Sequence, residues 1–194
     1  MEIFTKKELQ FRQKEILQRI KDGAIFICAT DTIYGLSCNA LLEHSVAKIR
    51  QLKHRSDSPF SVWAPSLAWI EKNCEIKNNT ASDWLKKLPG PYTLILPLKK
   101  NKGLSGCIAK NVCFGNTLGV RLPNHWVSKI VEELSIPLIT TSANKSGKPF
   151  MTSLETLDPD IAVGVEFLIY EGPKEARPSQ IVDLTTPAGT VKSR

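Results

Sequence analysis

The chain has 194 residues, 42% hydrophobic and 23% charged, with 11 Gly and 12 Pro. This composition excludes disordered and collagen-like classes, and the length fits a single domain over 1–194 that buries a core of its own. Lys and Arg number 26 against 19 Asp and Glu, a formal charge of +7, which favours anionic partners such as a nucleotide, polyphosphate or RNA.

Leu9, Ile16, Leu17 and Ile20 recur at helical spacing and predict one amphipathic helix over 6–21, closed by Gly23. Residues 24–29 (AIFICA) predict a buried strand, and 30–40 a polar loop at its end. A helix is predicted over 44–53, with Val46, Ile49 and Leu52 on one face, then a strand over 60–64 and a short helix over 66–72. Pro89-Gly90-Pro91 is a turn, 92–98 a strand and 99–116 a loop. Strands over 118–122 and 137–141 flank a helix over 127–134. A short helix or turn begins at 159–163, and strands over 165–170 and 180–184 follow. Strict alternation is missing, so the prediction is an α/β fold with a twisted, mixed open sheet and helices on both sides.

No apolar run approaches the ~20 residues of a membrane span, and the opening MEIFTKKELQ lacks a signal peptide's apolar stretch. The expected location is the cytoplasm. Cys28, Cys38, Cys74, Cys107 and Cys113 form no CxxC pair, and His44, His54 and His125 no HExxH. Most of the cysteines are expected to be reduced and buried, and no metal is expected from protein ligands.

Four polar segments fall at predicted strand ends. Thr30-Asp31-Thr32-Ile33-Tyr34-Gly35-Leu36 suits either a small polar ligand or a capped turn. In Lys53-His54-Arg55, two cations on an extended chain face one way and grip phosphate by point charge and fork; at a helix end they complement its dipole instead. Both cations are read as exposed. TTSANKSG (140–147) suits an anion nest or a hydroxyl-rich turn, without a Walker or Rossmann pattern. Arg177-Pro178-Ser179-Gln180 puts a Ser at the mouth of a strand. GxSxG is absent, so these hydroxyls read as binders rather than nucleophiles. Arg121, inside the apolar LGVRL, needs an anionic partner or an exit to solvent, and a bound carboxylate or phosphate suits it.

TDTIYGL, KHR, PGPYTLIL, GVRLP, TSANKSGKP and PSQIVDL, in this order, resemble the YrdC-like family of L-threonylcarbamoyladenylate synthases, over about residues 23–194. The resemblance implies a YrdC/RibB-like sheet around a concave basic cavity. It also implies condensation of ATP, L-threonine and bicarbonate to threonylcarbamoyl-AMP and pyrophosphate, for the threonylcarbamoyl-adenosine modification of tRNA. Carried over by position, Lys53 and Arg55 grip the triphosphate and act in catalysis. Thr117, Asn144, Thr152 and Arg194 join Arg55 in contacting ATP; Thr32, Arg121, Ser142 and Ser179 contact threonine. A Mg²⁺ is expected with ATP, held by phosphate oxygens and water. The partners implied are these substrates, with tRNA or the tRNA-modifying transferase complex beyond them. Trp63 stands where some members have a His near threonine. The short, single-domain form is the one resembled. The alternative is an RNA-binding paralogue without synthase activity.

Overall fold

The computed structural model describes residues 1–99 and 108–192. Among these, ten strands form one sheet. Its order is β1 (Glu2–Phe4), β8 (Phe167–Ile169), β2 (Phe26–Cys28), β3 (Gly35–Asn39), β7 (Leu138–Ser142), β4 (Ser61–Trp63), β6 (Thr117–Arg121), β5 (Tyr92–Pro97), β9 (Gln180–Asp183) and β10 (Thr190–Lys192). Parallel and antiparallel pairs mix, as predicted: β1–β8, β2–β8, β4–β6 and β5–β9 are parallel, and the other five pairings antiparallel.

Successive strand residues point to opposite faces, and here the two faces differ in cover. One carries Ile27, Leu36, Ile139, Val62, Val120, Leu94 and Val182. It packs under α3 (Glu43–Lys53), α4 (Leu67–Asn73), α5 (Asn79–Leu85) and α7 (Pro159–Gly164), through residues such as Ile49, Ile70, Leu85 and Ile161. The other face is apolar only over part of its width. There Phe26, Phe167, Leu138 and Trp63 meet α1 (Lys6–Phe11), α2 (Gln13–Lys21) and α6 (Ser128–Leu134) through Leu9, Ile16, Ile20 and Val131. Beyond Leu138 and Trp63 the same face bears Ser61, Gly119, Thr93 and Thr140 with Arg121, Ile95, Ile181 and Asp183 among them, and the cavity described below opens over them.

Three local readings change. The helix expected over 6–21 is two, broken at Arg12 (φ −104°, ψ 19°), which leaves Phe11 91% exposed. The loop expected over 30–40 contains β3, buried throughout, because Gly35, Ser37 and Asn39 lie on one pleat and Leu36 and Cys38 on the other. Alternation was hidden there by a polar set that is small enough to bury. β1, α5 and β10 were not anticipated, being short and weakly patterned. Cys28, Cys38, Cys74 and Cys113 are free and buried; Cys107 lies outside the described residues. No helix among the described residues is long and apolar enough to cross a membrane.

Candidate active site

Register assembles the cavity floor. Ser61 lies beside Gly119, Gly119 beside Ile95 and Ile95 beside Asp183, so one row crosses β4, β6, β5 and β9. A methyl group on Gly119 would come within 3.1 Å of Ser61 Cβ and 3.5 Å of Thr93 Cγ2. The floor is therefore low at Gly119 and Ser61, whose side chains are small, and a cavity of about 500 Å³ stands on it. Tyr34, Gly35, Phe60 and Thr140 to Ser142 wall one side; Thr93, Ser179, Ile181 and Thr185 wall the other.

Of the residues singled out from the sequence, Arg55, Thr117, Arg121, Ser142 and Ser179 line this cavity. They come from four separate segments of the chain, Thr117 and Arg121 sharing β6. Ser179 is 2% exposed and shares a 2.8 Å hydrogen bond with the Thr93 hydroxyl. Ser142 Oγ donates to Asn144 Oδ1 at 2.6 Å. Thr140 Oγ1 is buried against the cavity and has no hydrogen-bond partner among the described residues, a cost that a polar ligand would remove.

The Lys53-His54-Arg55 reading needs correction. The chain is not extended there: Lys53 ends α3 and His54 is a left-handed cap (φ 50°, ψ 47°), so the flanking cations part. Lys53 is 2% exposed, not a surface charge. Its ammonium donates to the carbonyl oxygens of Ser142 (2.5 Å) and Asn144 (2.6 Å) and to Asn144 Oδ1 (3.1 Å). It does not line the cavity; it ties down the loop that does. Arg55 alone of the pair reaches the cavity wall, with Nη2 donating to Pro59 O at 2.6 Å and the guanidinium over the Phe60 ring.

Arg121 has the anionic partner its burial demands within the chain. Nη2 donates to Asp31 Oδ1 at 3.1 Å and Thr32 Oγ1 at 3.0 Å, and both charged side chains are under a tenth exposed. Asp31 Oδ2 accepts from Asn124 N at 3.0 Å. Thr32 therefore sits behind Arg121, outside the cavity lining. Tyr34, a cavity residue, braces the neighbouring segment: its hydroxyl donates to Gly172 O and accepts from Glu171 N. Burial pushes that phenol up to about 12, so it stays protonated.

Three further carried-over positions fall elsewhere. Asn144 sits behind Ser142, held by Lys53, Ser142 and the Lys148 carbonyl. Thr152 bonds Thr156 and Lys174 away from the cavity lining. Arg194 lies outside the described residues. Trp63, paired with Leu138 on one side and Arg121 on the other, is fully buried in the cluster under α6 and does not line the pocket. Sequence reasoning missed Ser61, Thr93, Gly119 and Asp183, and within TTSANKSG it gave roles to Ser142 and Asn144 but none to Thr140. Their signal was available: small or polar residues at alternate positions of otherwise apolar strands.

The model of the Sua5/YciO/YrdC family, described as telomere recombination, matches residues 18–192. A putative threonylcarbamoyl-AMP synthase of Methanocaldococcus jannaschii is 39% identical over 182 residues, 92% of this chain and 81% of its own length. The threonylcarbamoyl-AMP synthase of Pyrococcus abyssi is 33% identical over 172 residues, and the chain spans about half its length (48%). The crystal structure of P. abyssi Sua5 complexed with L-threonine superposes with a TM-score of 0.84 at 28% identity, covering 98% of this chain and 56% of that one. E. coli YciO shares the fold, with a TM-score of 0.81 at 20% identity and coverage of 100% and 96%.

Proposed function

The chain belongs to the Sua5/YciO/YrdC family, and from that premise we propose that it is a threonylcarbamoyl-AMP synthase, acting as a single domain over 1–194. The amino group of L-threonine bonds to the bicarbonate carbon, a C–O bond breaks and water leaves, giving the threonine N-carboxylate. A carboxylate oxygen attacks the α-phosphorus of ATP, the bond to the β-phosphate oxygen breaks, and pyrophosphate leaves. No covalent enzyme intermediate is needed; the hydroxyl and guanidinium groups of the cavity orient the two substrates and steady charge.

The observation that carries this reading is the convergence of Arg55, Thr117, Arg121, Ser142 and Ser179 on one cavity. Arg121 holds the threonine carboxylate with its fork, and Ser142 and Ser179 take the remaining polar groups. Arg55 steadies charge on the phosphates and on leaving pyrophosphate, while Thr117 and Arg194 contact the nucleotide. Lys53, Asn144 and Thr32 act through the residues they hold. The buried Thr140 hydroxyl adds a further contact for a polar ligand. No group of three or more His, Cys, Asp or Glu side chains capable of holding a metal occurs among the described residues. Mg²⁺ fits as the polyphosphate's companion, held by phosphate oxygens and water. The product feeds a tRNA-modifying transferase step in the cytoplasm.

The test is pyrophosphate release, omitting one substrate at a time. Release that requires ATP, threonine and bicarbonate together is expected; release independent of threonine overturns the assignment, and none at all favours the RNA-binding alternative.

A further inference from the structure

A carboxylate stands in the wall of a cavity whose proposed ligand is a polyanion. Asp183 lies on β9, at the end of the floor row that begins with Ser61. Thr185 donates to its Oδ1 from the backbone N (3.1 Å) and the hydroxyl (2.6 Å), and these bonds hold the carboxyl below its usual range, so it is ionised at neutral pH. Oδ2 has only the Lys192 ammonium, at 3.7 Å, among the described residues. That is beyond hydrogen-bond distance, and it leaves acceptor capacity on a carboxylate that lines the cavity.

Arg55 and Arg121 line the cavity, Arg121 already paired with Asp31, and the Lys192 beside Asp183 does not line it, so a polyphosphate here lies toward Arg55, on the wall beside β4, and away from the Asp183 carboxylate. The nucleoside then faces β9. Ile95 and Ile181 on this side offer apolar surface to a flat base, and the carboxylate beside them offers its oxygen to hydroxyl donors. We infer that Asp183 is a specificity-determining residue that accepts hydrogen bonds from the ribose hydroxyls of the nucleotide, and that its charge sets which way round the nucleotide lies. This rests on the synthase reading for the identity of the nucleotide.

The test compares ATP with 2′-deoxy-ATP and 3′-deoxy-ATP in the full chain and in Asp183→Asn, which retains an oxygen for Thr185 and replaces the open acceptor by a donor. For the unaltered chain, kcat/KM for at least one deoxy analogue should fall about tenfold or more below that for ATP, as for a lost hydrogen bond to a charged acceptor. D183N should lose a similar factor with ATP, bring the ratio to within about twofold and leave the threonine KM unchanged. No discrimination by the unaltered chain, or an unchanged ratio in D183N, overturns the proposal; equal loss with all three nucleotides does so too, since it marks a metal-holding or folding role. Asp183→Ala and thermal melting check that the variants fold. Calorimetry with the same nucleotides, without threonine, keeps the two readings apart. If no pyrophosphate forms, the synthase reading fails while ATP binding that falls on 2′- or 3′-deoxygenation still supports Asp183.

Discussion

The Lys53 ammonium and the Asn144 side-chain oxygen lie 3.1 Å apart, in a buried knot that also includes the Ser142 and Asn144 carbonyls. It joins the end of α3 to the loop following β7. Removing the ammonium takes a donor from all three oxygens, of which Asn144 Oδ1 keeps the Ser142 hydroxyl. Lys53→Ala should lower stability by about 2–3 kcal/mol, roughly 4–12 °C in melting temperature for a chain of this size, and loosen Ser142 in the cavity. Thermal melting with turnover checks this; lost activity at an unchanged melting temperature would move Lys53 onto the phosphates.

Arg55 is the counterpart that separates chemistry from folding. Its guanidinium is partly exposed, bonds the Pro59 carbonyl and lies over the Phe60 ring. Arg55→Ala should lower kcat on the order of 10²-fold, as for other preorganised charge stabilisers, with little change in melting temperature. Near-normal turnover would remove Arg55 from the mechanism.

Arg121→Lys keeps the charge opposite Asp31 but loses the fork. Threonine affinity should fall while ATP affinity changes little, as read by calorimetry of each ligand separately; equal losses would contradict the carboxylate role. Arg121→Ala goes further, because it leaves the Asp31 carboxylate buried without its ion pair, a change that typically costs about 3–5 kcal/mol.

Selectivity for threonine should depend on its hydroxyl. Cavity hydroxyls left dry and unpaired by 2-aminobutyrate disfavour it more than serine, whose missing methyl is worth roughly 1–3 kcal/mol. The comparison is kcat/KM for the three amino acids at saturating ATP and bicarbonate. Thr93→Val removes the partner of Ser179 and should shrink the discrimination against 2-aminobutyrate. A higher kcat/KM for 2-aminobutyrate than for serine would make these hydroxyls structural.

His125 predicts an acid-sensitive fold. Burial lowers its pKa despite the Glu171 carboxylate at 3.1 Å, and Nδ1 accepts from Val127 N, so the neutral ring with Nε2–H is the form that fits. With the folded pKa below the unfolded 6.5, the unfolded state binds more protons, and stability falls as pH drops through that range. Glu171, also lowered, adds its own loss below about pH 4.5. Melting temperature should decline from pH 7 to 5, and His125→Gln should flatten that slope. An unchanged slope would exclude the imidazole as its source.

The sequence alone determined the mixed α/β class, most strands from β2 onward and the segments that build the site, because buried strands and their polar ends have distinct local patterns. GVRLP, TTSANKSG and PSQIVDL each supply a cavity residue: Arg121, Ser142 and Ser179. It also carried the family, since motif order survives where single motifs are weak. Tertiary structure decided which side chains share a space. Only the left-handed turn at His54 separates Lys53 from Arg55, only register sets Ser61, Gly119, Ile95 and Asp183 in one row, and only packing gives Arg121 its Asp31. Each is a contact between residues made neighbours by strand pairing or a turn, and composition and local spacing do not encode those distances.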